Sequence, residues 1–132
     1  MKNATAIVLF AHGARDARWA QPLERLREAL QRARPGVRIS IAFLELQPPG
    51  LAETLAALAA AGATQIDIAP IFWSERGHIA RDLPALVATF AGQAPLVRVR
   101  VLPVLAELAG MDEFVAQAIL GHVGEAPAGR LP

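Results

Sequence analysis

The 132-residue chain contains no cysteine. Disulfides, thiolate zinc sites, iron–sulfur clusters and thiol nucleophiles are therefore excluded. Any metal must be held by His, Asp, Glu or a group that the substrate brings. Charge of one sign is missing as well: the formal net charge is +1 and the arginines are spread along the chain. That argues against a nucleic-acid groove. No apolar run approaches the roughly 20 residues of a membrane-spanning helix. The opening Met1-Lys2-Asn3 and the apolar Ala4 to Ala11 are too short for a secretory leader and read as a strand, so a cytoplasmic protein is expected. Nucleotide loops of the G-x-x-x-x-G-K-[ST] and G-x-G-x-x-G types are absent, as is a G-x-S-x-G elbow. Ser40 and Ser74 are the only serines, which leaves a serine triad without support.

What is present is a full core. The chain is 54% hydrophobic with mean hydropathy +0.35, enough for one domain, and disorder is not expected. Aromatics are only 5%, so each Phe and Trp needs its own explanation.

Ala6 to Phe10 is a continuous apolar run, as in a parallel strand buried on both faces. Trp19, Leu23, Leu26, Leu30 and Ala33 follow at helical spacing, with Pro22 in the first turn of a helix beginning near Ala20. Val37 to Leu46 is the second strand, with Glu45 at its end. A second helical stripe, Leu51, Leu55, Leu58 and Ala59, ends at Gly62, a C-terminal cap. Gln65 to Phe72 is the third strand. After the loop Trp73 to His78, Asp82 is the expected N-cap of a helix with Pro84 just inside and Leu83, Leu86, Val87 and Phe90 as its stripe. Leu96 to Leu102 is the fourth strand. Met111, Phe114, Val115, Ala118, Ile119 and His122 make the last helix. Residues 1–123 form a single domain, and the Gly-, Pro- and Ala-rich 124–132 a frayed tail.

This βαβαβαβα alternation implies an α/β fold: a four-stranded parallel sheet flanked by helices, flavodoxin-like, with strand order 2-1-3-4. Ligands of such sheets bind beyond the carboxyl ends of the strands, where the order reverses. Here that is between the first and third strands. His12 follows the first strand, His78 the third, and Glu45 the second, so the three converge on one edge. Two neutral imidazoles suit a divalent first-row ion such as iron, cobalt or nickel and leave coordination positions open, unlike a closed structural zinc site. Glu45 serves as a base, a ligand or a plain acceptor for the next turn. Arg15, Arg18, Arg76 and Arg81 flank the histidines and suit carboxylates or phosphates. Trp73 suits a flat ligand, and Phe72 the core. His122, in a last helical turn, is explained by the helix dipole.

Ala6-Ile-Val-Leu-Phe-Ala-His12-Gly-Ala-Arg-Asp16 resembles the "strand–H-G-S-R-D" opening of the small CbiX-type sirohydrochlorin chelatases. Ala42-Phe-Leu-Glu45 is similar to their "A-F-L-E" segment. Pro70 to Pro84 is similar to their "P-L-F-L-x-x-G-G-H-x-x-x-D-I-P" stretch. The likeness covers almost the whole chain, and the three motifs are specific together. It implies a chelatase, a lyase, that inserts a divalent ion (Co2+, Fe2+ or Ni2+) into sirohydrochlorin without ATP, for cobalamin or siroheme. It implies His12 and His78 as the metal-binding pair and Glu45 in the same cleft. Arg15, Arg76 and Trp73 would face the tetrapyrrole. No cofactor beyond the metal substrate and no membrane are implied, and a chain of this length is expected to pair as a homodimer. Two departures stand out: Ala14 replaces the usual Ser, and Glu75-Arg76 precede Gly77. A non-catalytic metal or tetrapyrrole carrier is the alternative. A histidine phosphatase would need Arg before the histidine, where Ala11 stands.

Overall fold

The computed structural model describes residues 4–74 and 77–123, with backbone alone over 77–81. The elements are β1 (Thr5–Ala11), a 3₁₀ turn (Ala17–Ala20), α1 (Gln21–Ala33), β2 (Arg38–Phe43), α2 (Leu51–Ala60), β3 (Gln65–Pro70), α3 (Gly77–Gln93), β4 (Arg98–Val101), a second 3₁₀ turn (Leu105–Glu107) and α4 (Met111–Val123). All strand pairs are parallel and the order is β2-β1-β3-β4, as the alternation predicted. The expected tail, 124–132, lies outside the described residues.

β1 is central, and its side chains alternate between two cores. Ala6, Val8 and Phe10 face the layer built with Leu51, Leu55 and Leu58 of α2 and Leu83 and Phe90 of α3. Ala11 faces the opposite layer, with Leu23 of α1 and Phe43. Leu9 is itself fully buried and pairs in register with Ile41 and Ala69. Gly62 ends α2 with φ 99°, a left-handed position that glycine adopts without strain. At the start of α2, Glu53 reaches back to accept the Gly50 N–H at 2.8 Å.

Three sequence expectations are corrected. Trp19 belongs to the 3₁₀ turn, not to α1, and is exposed; Pro22 sits at the second position of α1, so the apolar stripe begins at Leu23. β2 stops at Phe43, β3 at Pro70, and β4 spans only Arg98–Val101, all shorter than the runs that marked them. Loop backbone bonded to neighbouring strands carries those runs on, as where Leu102 N–H donates to Ile68 C=O at 2.8 Å. α3 begins at Gly77, so Asp82 stands inside it and Pro84 is internal. A proline forfeits one bond to the carbonyl four residues back, while the spacing of Leu83, Leu86, Val87 and Phe90 continues unbroken. His78 is thus in a first helical turn rather than a loop. α4 forms as expected, and none of its residues is buried.

Asp67 is a nearly buried acid in the middle of β3. Its register partner, Arg100, donates through Nε to Oδ1 at 3.0 Å and through Nη2 to Oδ2 at 3.2 Å. This pairing outweighs burial and holds the Asp67 carboxyl below the usual carboxylate range. A carboxyl depressed by folding stabilises above its unfolded value of about 3.9, and that stabilisation disappears as pH falls through the folded value. Replacing Asp67 by Asn should therefore lower stability to urea at pH 7, by about 1 kcal/mol at most because Arg100 faces solvent. The gap to wild type should close below about pH 4; urea titrations at several pH values measure it.

Candidate metal centre

β1 is apolar as far as Ala11, and the chain turns polar at His12. The pairing of β1 with β2 continues beyond both strands: Leu44 N–H donates to Ala11 C=O at 2.8 Å and Glu45 N–H to His12 C=O at 3.1 Å. The two loops are therefore fixed side by side at the carboxyl edge. Glu45, expected at the strand end, lies two residues past it but at the same edge. Its Oε2 approaches His12 Nδ1 to 3.8 Å, with both side chains just over half exposed at 55% and 56%.

Gly13 makes this approach possible. Its φ is 98°, and a Cβ there would stand 2.0 Å from the Glu45 carbonyl oxygen. Leu46 is also left-handed, at φ 71°, a conformation costing a non-glycine residue about 1–2 kcal/mol. Strain of this kind gathers at functional sites. Gln47 Oε1 accepts the Ala14 N–H at 2.8 Å. Asp16 caps the following 3₁₀ turn by accepting the Arg18 N–H at 3.0 Å and also holds the Arg18 guanidinium, Nη2 to Oδ2 at 2.6 Å. The guanidinium, with the backbone bond second, keeps the Asp16 carboxyl below its ordinary range. Arg18 is thereby committed to Asp16. Arg15 is exposed and forms no ion pair among the described residues.

The loop after β3 sits beside β1 at the same edge, with Ile71 N–H donating to Phe10 C=O at 2.8 Å. Phe72 packs edge-to-face on Phe10, 5.9 Å between centroids, as expected of a core residue. Trp73 is exposed, and its carbonyl accepts from Ala106 N–H at 3.0 Å. The His78 backbone stands in the first turn of α3, next after this loop. The side chains of His78 and Arg81, and all of Arg76, lie outside the described residues. Among the described residues no group of three or more His, Asp or Glu gathers. An open groove of about 890 Å³ runs along the outer side of β2, from Phe43 and Gln47 to Gln31 and Arg38, and includes neither His12 nor Glu45.

The His12–Glu45 pair supports two metal geometries. Donors on one ion at about 2.0–2.2 Å stand roughly 3.0–3.4 Å apart, so 3.8 Å needs closure of a few tenths of an ångström for both to ligate. Alternatively, Glu45 faces Nδ1 and orients the ring, leaving Nε2 for the ion, the carboxylate–histidine–metal arrangement.

The site is thus a histidine and a carboxylate at the carboxyl edge of a doubly wound parallel sheet. The family model CbiX matches residues 6–122, and the chain belongs to that family. It is 26% identical over 121 residues to a sirohydrochlorin cobaltochelatase of Saccharolobus islandicus strain L.S.2.15, covering 90% of this chain and 93% of that one. A sirohydrochlorin cobaltochelatase of Methanosarcina acetivorans is 23% identical, with 96% and 99% covered. Among solved structures, a CbiX protein from Marinobacter aquaeolei VT8 shares the fold with TM-score 0.78 and 23% identity, over 92% of this chain and 99% of that one. The sirohydrochlorin chelatase SirB of Bacillus subtilis subspecies spizizenii, solved in complex with cobalt, gives TM-score 0.75 and 27% identity over 92% of this chain and 50% of that one.

Gly13→Ala should be among the most damaging single changes in the loop. It combines a forbidden φ with a Cβ on the Glu45 carbonyl, so a loss of about 3 kcal/mol is expected, together with loss of the His12–Glu45 approach. Urea denaturation reads the first and the NMR shifts of the His12 ring the second.

Proposed function

We propose that the chain is a sirohydrochlorin chelatase that exchanges the two pyrrole N–H protons of the macrocycle for one divalent ion, Co2+ or Fe2+, without ATP. The reading rests above all on the approach of Glu45 to His12 at 3.8 Å on the carboxyl edge, in a chain of the CbiX family. The cobaltochelatase relatives and the cobalt complex of SirB support it.

The chemistry follows from the donors. His12, with His78 as its partner across the β1–β3 boundary, holds the incoming ion through few bonds and can release it. Of the four ring nitrogens that take up the metal, two carry a proton and lose it, so two protons leave per ion. Glu45 beside His12 receives the two in succession and passes each to water; its exposure keeps that exchange fast. Arg15 and Arg76 attract the substrate's carboxylates, and Trp73 stacks on the ring. No step consumes a nucleotide. In steady-state assays with Co2+ and Fe2+, His12→Ala and His78→Ala should each lower kcat/KM at least about a hundredfold, and Glu45→Gln should act mainly on kcat. Wild type that binds metal or tetrapyrrole one-to-one without turnover would make the protein a carrier instead.

The partner is a second copy. α4 has no buried residue, and Phe114 is 71% exposed, with Ile119, Leu120 and Val123 also open to solvent. Leu96, beside β4, is 90% exposed. Four large apolar side chains left exposed on one helix suit contact with another protein surface. The chain also matches half the length of the SirB structure, leaving room for a second domain of the same kind. Wild type should sediment as a dimer of the 14.0 kDa chain, and Phe114→Glu should shift it to monomer; a monomeric wild type at high concentration rejects the pairing.

A further inference from the structure

The loop that carries His12 is held from both sides by one short segment, residues 45–47. On one side Glu45 N–H donates to the His12 carbonyl at 3.1 Å. On the other, Gln47 Oε1 accepts the Ala14 N–H at 2.8 Å, a part-buried bond across 33 residues of sequence. Between these two tethers lies Gly13, left-handed and without a side chain, the natural pivot of the loop. Ala14 offers no hydroxyl with which the turn could hold itself. The acceptor for its amide comes instead from the neighbouring loop.

The holding segment is itself under tension. Leu46 is left-handed at φ 71° and 52% exposed, so packing of its own side chain does little to fix it. The contacts of Glu45 and Gln47 on either side keep it there. Losing the Gln47 bond would release Leu46 toward ordinary backbone and Gly13 toward free rotation at the same time.

We infer that Gln47 is a positioning residue: through its bond to the Ala14 amide it locks the Gly13 pivot and keeps the His12 imidazole beside Glu45. The inference builds on the reading of His12 as a metal-binding residue. Gln47 touches neither metal nor macrocycle in this role.

The test compares the full chain as wild type, Gln47→Met (same length, no comparable acceptor) and Gln47→Glu (acceptor oxygen kept). Circular dichroism verifies that all three fold. Three quantities are read: amide exchange at Ala14, the nuclear Overhauser effect between the His12 ring and the Glu45 Hγ protons, and the Kd for Co2+. In Gln47→Met the Ala14 amide should exchange roughly five- to tenfold faster, as loss of one hydrogen bond implies. The His12–Glu45 effect should weaken, and the Co2+ Kd should rise by about the same factor. Gln47→Glu should restore the effect. If the His12–Glu45 effect in Gln47→Met equals wild type, or Gln47→Glu fails as Gln47→Met does, the inference falls. Wild type that binds no Co2+ counts against the chelatase reading alone, because the ring-to-carboxylate effect still decides the positioning role.

Discussion

The backbone pairing of β1 with β2 does not stop where the strands stop. Two more bonds, to the carbonyls of Ala11 and His12, carry it into the loops. Everything at the site depends on that extension. It brings Glu45 next to His12. It also forces the Glu45 carbonyl into the space a side chain at position 13 would need, so that only glycine fits. A histidine on a free turn would sample many orientations. Here its backbone is an extension of a central, fully paired strand, and a site on a rigid element keeps its geometry better than one on a loop.

The two cores divide the labour below this edge. Phe10 and Phe72 anchor the larger layer directly beneath the loop after β3, while Ala11, Leu23 and Phe43 support the β1 and β2 ends from the opposite face. The Asp67–Arg100 pair ties β4 to β3 near the middle of the strands, well below the carboxyl edge. The exposed apolar residues of α4 follow the strand at the far side of the sheet from β2. The loop that carries His12 and the exposed apolar side chains of α4 thus belong to different elements.

Much of this was legible from residue pattern. Apolar runs marked the strands, and direction and order alone put His12 and Glu45 on one edge. The glycine cap of α2 and the placement of Phe72 in the core also followed from local chemistry. What escaped was non-local. Gln47 bonds an amide 33 residues away, and no periodicity announces such a contact. Pro84 suggested a helix start because proline favours first turns, yet tertiary anchoring by Leu83 and Phe90 lets the helix run through it. The stripe of α4 has the spacing of a buried face. Spacing reports that a face is apolar, not which molecule covers it. His78, recognised from its motif, is described through its backbone alone, at the edge where strand order puts it.

β4 is only four residues long, and its two arginines, Arg98 and Arg100, reach back to Gln65 and Asp67 of β3. A brief, charged margin is a poor template for another strand. Chains cannot readily stack edge to edge through it into an open-ended ribbon. The same four residues that end the sheet thereby also keep its edge from recruiting a further strand.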